Sequence, residues 1–144
     1  MSLDRIEIFT IDSGSHFMIK EFLEHMNEEK SSFRYFDKRN LSVLKNHVET
    51  VILKVNKSFA GYGHLDKEGD IVWLGIVVLK EFQGMGFGAK IMNELIKKAI
   101  ALNLSFIKLS VDTKNLVARA LYVKKGFRLI KETKEICYYS LYFN

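Results

Sequence analysis

The sequence predicts a mixed α+β fold, ordered as a strand, two helices, a three-stranded meander, a helix, a strand, a helix and a closing hairpin. Two observations carry that prediction. The hydrophobic period switches several times between about 2 and about 3.6 residues, and nine glycines with no proline punctuate the switches. Three of those glycines crowd into five residues, at 84, 86 and 88, where the most apolar run of the chain gives way to a helical pattern.

Residues 3–11 place Leu3, Ile6, Ile8 and Ile11 in near alternation and read as a first strand. Ser15 can cap a helix running to about Asn27, with Phe17, Phe22, Leu23 and Met26 as its apolar stripe. Residues 31–40 are polar, with three aromatics, Phe33, Tyr35 and Phe36, that look exposed. A short helix over 41–47 follows. Residues 50–55 and 59–65 read as strands joined by Asn56-Lys57-Ser58, and Lys67-Glu68-Gly69 turns the chain into a central strand over 71–79, expected to be buried on both faces. Next, Ile91, Leu95, Ala99 and Leu102 mark one face of a helix that Asn103 ends in a left-handed conformation. Residues 105–111, reached through that helix, should run parallel to 71–79 in a right-handed crossover. A last helix over 115–125 stops at Gly126, before a hairpin of 127–131 with 136–143.

Composition bounds the rest. At 144 residues and 48% hydrophobic, the chain is expected to be a single domain spanning 1–144, with enough apolar content to exclude a disordered class. One cysteine, Cys137, excludes an internal disulfide framework and a multi-cysteine metal site, and no metal is expected. No stretch approaches the roughly 20 apolar residues of a membrane helix and the start lacks an apolar leader, so a cytoplasmic protein with no membrane partner is the expectation. The net charge of +5 is uneven: residues 1–79 carry 10 basic and 12 acidic side chains, residues 80–144 carry 12 and 5, giving −2 and +7. Scattered lysines beside acidic neighbours fit a small phosphorylated ligand better than nucleic acid.

The glycine cluster lies at the carboxyl end of the first crossover strand, where open α/β sheets bind ligands. Without side chains the turn lets backbone N–H groups approach an anion, and the helix start adds partial positive charge, a chemistry suited to a pyrophosphate. Gly84, Gly86 and Ala89 also satisfy a dinucleotide fingerprint, with Asp112 at about the spacing of a ribose-binding acid. That reading is weaker, because the fingerprint follows an antiparallel meander with only one further crossover.

Gln83-x-x-Gly86-x-Gly88 after an apolar strand, followed by Asn115-x-x-Ala118-x-x-Leu121-Tyr122-x-Lys124-x-Gly126-Phe127, resembles the GCN5-related N-acetyltransferase (GNAT) superfamily over residues 71–127. The resemblance implies a central, mostly antiparallel mixed sheet with a splayed parallel strand pair flanked by helices, and direct transfer of an acetyl group from acetyl-CoA to a primary amine. By resemblance, Gly84, Met85, Gly86, Phe87, Gly88 and Ala89 cradle the pyrophosphate, and Gln83 shapes the loop. Ile76, Val77 and Val78 offer backbone groups to the pantetheine arm, Gly75 is a bulge that splays the strands, and Asn115 binds the arm. Lys124, with Lys125 and Arg119, faces the outer phosphate, and Tyr122 is the acid that protonates the departing thiolate.

Bland readings stand beside these: Asn115 as a helix cap, Tyr122 as a core aromatic, the basic residues as a solvated face. His64, counted back from the 67–69 turn to a place opposite Val72, and Asp112 are candidate bases, with water as the third. Acceptor contacts are expected from Phe33, Arg34, Tyr35 and Phe36 and from Tyr138 and Tyr139, the acceptor being an amino sugar or another small metabolite. A non-catalytic module that binds CoA is the alternative, and the terminal strand, read as a sheet edge, allows a homodimer.

Overall fold

The computed structural model describes residues 3–31, 33, 35, 36 and 39–143, without the side chains of Glu28 and Ser31. Arg34 lies outside the described residues. Seven strands form one sheet in the order β1-β2-β3-β4-β5-β7-β6: β1 (Ile6–Thr10), β2 (His47–Val55), β3 (Ser58–Glu68), β4 (Ile71–Val78), β5 (Phe106–Asp112), β6 (Arg128–Glu132) and β7 (Ile136–Tyr142). Every neighbouring pair is antiparallel except β4 and β5. Helices α2 (Phe87–Ala101) and α3 (Leu116–Lys124) follow β4 and β5 respectively, and α1 (Phe17–Glu24) lies between β1 and β2 in the chain. This is the mixed α/β architecture with a central parallel pair that the sequence predicts.

Several local expectations change. The first helix is shorter than predicted and is preceded by a 3-10 turn capped by Asp12, whose carboxylate accepts from the Gly14 N–H while the Asp12 N–H donates to Ser15 Oγ. Ser15 therefore completes a capping box instead of capping α1. Phe17 is exposed, and Ile19, Phe22 and Met26 are the residues that bury. The segment 41–46 is a 3-10 helix, and Leu102, expected in the apolar stripe of α2, is exposed at its C-cap. The first hairpin turns on Asn56 and Lys57, both at positive φ (50° and 71°), and the second on Gly69 at φ 60°. β3 therefore runs three residues further than expected.

Burial on β4 is one-sided. Val72, Leu74 and Val77 are buried, but Trp73, Gly75, Ile76 and Val78 are only half-buried because they line a cleft. β7 lies between β5 and β6, so the terminal strand is not an edge; among the described strands the edges are β1 and β6. That removes the strand on which edge-pairing between subunits was expected.

Two apolar clusters hold the layers. Phe87, Ile91, Met92, Leu95 and Ala99 of α2 bury against Val51, Leu53, Leu65 and Leu74 of the sheet, while Ile19, Phe22 and Met26 pack on Ile52, Phe59 and Tyr62. The close approach of α2 depends on glycine in β3: a Cβ on Gly63 would sit 2.5 Å from Ile91 Cγ2 and 3.0 Å from Leu95 Cδ1. The Ile91 methyl sits on its branched β-carbon and has little freedom to yield. Gly63→Ala is thus expected to destabilise the fold by about 1–3 kcal/mol through overpacking, seen as a lower denaturant midpoint with an unchanged m-value; an unshifted midpoint would contradict this packing.

Candidate active site

The parallel register of β4 and β5 holds one Cα pair, Trp73 with Lys108. From there toward their carboxyl ends the strands part, and a cleft of about 780 Å³ opens between them. Its walls include Ile76, Val77 and Val78 of β4, Ser110 and Val111 of β5, and Asn115, Ala118, Leu121 and Tyr122 at and along α3. The parting is not caused by a bulge at Gly75. β3 and β4 keep an unbroken register from Gly61↔Val78 to Glu68↔Ile71, and His64 lies opposite Gly75, not Val72. The three-residue lengthening of β3 moved that pairing. A Cβ on Gly75 would lie 2.5 Å from His64 Nε2, so this glycine makes room for an imidazole.

One end of the cleft is the glycine turn. Gly84 and Gly86 have φ of 80° and 84°, the left-handed region that other L-residues rarely adopt. Gly86 is the N-cap of α2 and supplies no side-chain cap, leaving the first N–H groups of the helix available to an anion. Gly88 is the sharper test of fit. It lies inside the first turn, and a Cβ there would meet only ordinary contacts, Leu121 Cδ2 at 3.6 Å and Val78 Cγ2 at 3.7 Å. Protein packing does not demand glycine at that helical position, where it is less favourable than alanine; close approach of a ligand to the backbone does account for it. Gln83 Nε2 donates to Val78 O at 2.9 Å, tying the turn to the end of β4. Phe87 and Ala89 line the cleft as well, whereas Met85 is 61% exposed and neither it nor Lys124 is among the lining residues.

On α3, Asn115 caps the helix, its Oδ1 accepting from the Ala118 N–H at 3.2 Å, while it also lines the cleft. Tyr122 is buried beside Phe127 and Tyr139, and burial pushes its phenol up to about 12. Arg119 turns inward and donates to Tyr139 Oη (2.9 Å), Thr113 O (3.0 Å) and Glu132 (3.2 Å). Its fork is therefore committed within the fold, which corrects the expectation that it faces a ligand phosphate. Tyr139 is likewise buried in the core and not on the cleft, unlike Tyr138.

The other wall holds a polar network that sequence reasoning missed apart from His64 and Tyr35. Tyr35 donates to Asp66 Oδ2 (2.7 Å), so its oxygen is left to accept from His47 Nε2–H (2.8 Å). His47 Nδ1 then accepts from Thr50 Oγ1 (2.9 Å). Tyr62, fully buried, shares a hydrogen bond with His64 Nδ1 (2.6 Å), and His64 Nε2 is the ring nitrogen over Gly75. The aromatics Phe33, Tyr35 and Phe36, expected to be exposed, are half-buried against Tyr62 and His64. Strand alternation on β3 puts Tyr62, His64 and Asp66 on one face; the partners, some 15 to 30 residues away, carry no local signal.

Burial pushes His47 down to about 4, against an upward pull from Asp66, and pushes His64 well below the usual histidine range, with His47 and Arg39 acting the same way. Both imidazoles titrate lower in the folded than in the unfolded chain. The folded state therefore binds fewer protons below pH 6.5, and stability is full above that value and lost as the pH falls toward 4. The melting temperature is expected to drop between roughly pH 7 and pH 5, with a shallower drop in His47→Gln; equal profiles for the two proteins would contradict a neutral buried His47.

An open strand edge beside a side-chain-free helix start defines a site for an extended, amide-bearing ligand with an anionic end. Comparison with known families gives that class its name: residues 10–127 match the model of the acetyltransferase (GNAT) family, and the chain belongs to it. The cosubstrate of that family is acetyl-CoA. Among curated proteins, no sequence matches significantly. Similar solved structures include the ribosomal-protein-S18-alanine N-acetyltransferase of Escherichia coli (17% identity, 96% of this chain and 94% of that one, TM-score 0.73). The spermidine N-acetyltransferase of Vibrio cholerae, solved with CoA and spermine, is another (17%, 95% and 95%, 0.74). A third is a Salmonella typhimurium protein solved with its cofactor acetyl-CoA (15%, 96% and 94%, 0.71). At these identities the likeness is one of fold.

Proposed function

We propose that this protein is an acetyl-CoA-dependent N-acetyltransferase that acts on a primary amine of a small molecule by direct transfer. The observation that carries the reading is the single cleft in which the glycine turn, the free edge of β4 and the buried phenol of Tyr122 meet. When bound, acetyl-CoA supplies an acetyl thioester. The N–H groups of residues 84–89 hold its pyrophosphate, and Gln83 keeps that turn against β4. Backbone groups of Ile76, Val77 and Val78 pair with the pantetheine arm as a neighbouring strand would, and a β4 N–H at Ile76 or Val77 orients the carbonyl oxygen. Asn115 contacts the arm, and Lys124 meets the outer phosphate.

Tyr122 is the acid. Its raised value keeps the phenol protonated across the working range, so the proton on Oη is available to the sulfur as the carbon–sulfur bond breaks. His64 is held by Tyr62 through Nδ1, with Nε2 on the β4 side beside Gly75. The amine gives up its proton to water. Overall, amine and acetyl thioester become amide and thiol, and no further reactant is needed.

Acetyl-CoA and CoA are expected to raise the melting temperature and NAD to leave it unchanged; stabilisation by NAD alone would overturn the reading. Thiol release should accompany acetylation of members of a primary-amine library. Tyr122→Phe should lower kcat roughly 100-fold while changing the acetyl-CoA KM by less than about threefold. A non-catalytic CoA-binding module would bind acetyl-CoA with no amine-dependent thiol release in either protein.

A further inference from the structure

The acceptor-side wall of the cleft carries three carboxylates in different situations. Glu29 accepts from the backbone N–H groups of Asn27 (2.7 Å) and Lys80 (2.5 Å). Glu68 stands 3.7 Å from Arg39, and Arg39 in turn donates to Tyr35 O (2.8 Å) and lies 4.5 Å over the Tyr35 ring. Asp66 is 3% exposed and lines the cleft, yet its hydrogen-bond partner among the described residues is a neutral hydroxyl, that of Tyr35. The imidazoles beside it, His47 and His64, are held neutral by burial. A carboxylate withdrawn from water and met by a neutral donor alone is expensive, and a ligand cation relieves it. The Tyr35 and Tyr138 rings already carry Arg39 (4.5 Å) and Lys131 (6.0 Å), and Trp73, which lines this part of the cleft, is a further aromatic group of the kind that attracts a cation.

Register says which cation. Asp66 lies opposite Trp73, whereas the imidazole of His64 lies opposite Gly75, two residues closer to the β4 groups that hold the thioester in the proposed function. Trp73 is three residues from Ile76 and four from Val77, about 10 to 14 Å of strand. A positive charge seated at Asp66 is therefore separate from the nitrogen that is acetylated.

We propose that Asp66 is the specificity residue of a subsite for a second cationic group on the acceptor, about 10 Å of strand from the β4 groups that hold the thioester, so that the acceptor class is a diamine or a comparable amine with a distal cation. This rests on the acetyl-transfer reading above. Tyr35, braced by His47 and Thr50, positions the carboxylate.

The test compares kcat/KM for cadaverine with that for n-pentylamine, the same chain with one nitrogen, by thiol release from acetyl-CoA. The wild-type protein should favour cadaverine by about 30-fold, and Asp66→Asn should bring the ratio close to one. A variant that is merely damaged lowers both rates together and keeps the ratio, and the wild-type comparison needs no variant at all. Equal use of both amines by the wild type, a preference that survives in Asp66→Asn, or acetylation of neither amine each overturns the subsite. Acetylation of n-pentylamine without a preference for cadaverine leaves the transferase reading standing. That reading fails when acetyl-CoA gives no melting shift and no amine of the library releases thiol.

Discussion

The constraint on which the site depends is the brevity of the β4–β5 contact. One parallel register pair, Trp73 with Lys108, anchors the two halves of the sheet, and beyond it the carboxyl half of β4 pairs only with β3. A strand edge inside a fold needs either a partner or cover. Cover comes from α2 and α3, whose starts sit at the ends of the diverging strands; the partner, in the proposed function, is the amide-bearing arm of the cosubstrate. The glycine turn is a consequence of the same geometry. With the chain leaving β4 at the mouth of the cleft, the first helical N–H groups can face a ligand only if Gly84 and Gly86 take their left-handed conformations.

The sheet is held open from both directions. On one face, Gly61 and Gly63 bring α2 close enough for Ile91 and Leu95 to bury against β3. On the other, Gly75 admits the imidazole of His64, which Tyr62 fixes from beneath. Glu29 links the two regions of the cleft: its carboxylate accepts the N–H of Lys80 just before the glycine turn and that of Asn27 at the start of the segment carrying Phe33 and Tyr35. Burial alone raises the Glu29 value, but the backbone hydrogen bonds from Lys80 and Asn27 outweigh it and the net shift is downward. The negative form is thus the one that ties the segment carrying Phe33 and Tyr35 to the chain just before the glycine turn.

The element order, the parallel crossover and the glycine turn were legible in the sequence because each has a local signature: a change of period, a crowd of glycines, an asparagine at a helix start. Register was not. Reading Lys67-Glu68-Gly69 as the reversal stops β3 early and sets His64 against Val72; the actual turn at Gly69 carries the strand on and sets it against Gly75. An error of three residues in a turn thus hid the reason for a glycine in a central strand. Asp66 was passed over for a related reason. A polar residue near a predicted turn reads as solvated, and only the return of Tyr35 across the sheet, 31 residues away in sequence, shows it to be buried. Arg119 erred the other way, since an exposed-looking helix position proved to be tied to Tyr139, Thr113 and Glu132.

The uneven charge of the chain acquires a structural meaning through this buried network. The net-negative first half supplies Glu29, Asp66 and Glu68 to the cleft, along with Arg39, and the basic second half includes and follows the glycine turn. Beside Asp66 the histidines matter by being uncharged. A protonated His47, linked to Asp66 through the Tyr35 hydroxyl, would neutralise the carboxylate from within; burial opposes that protonation more strongly than Asp66 favours it. The same burial that makes a carboxylate costly therefore keeps the imidazoles beside it from serving as its counter-ion, while Arg39, also on the cleft, is engaged with Glu68 and the Tyr35 carbonyl. In the proposed subsite that carboxylate meets the distal cation of the acceptor, and hydrogen bonds running back to Thr50 fix its position.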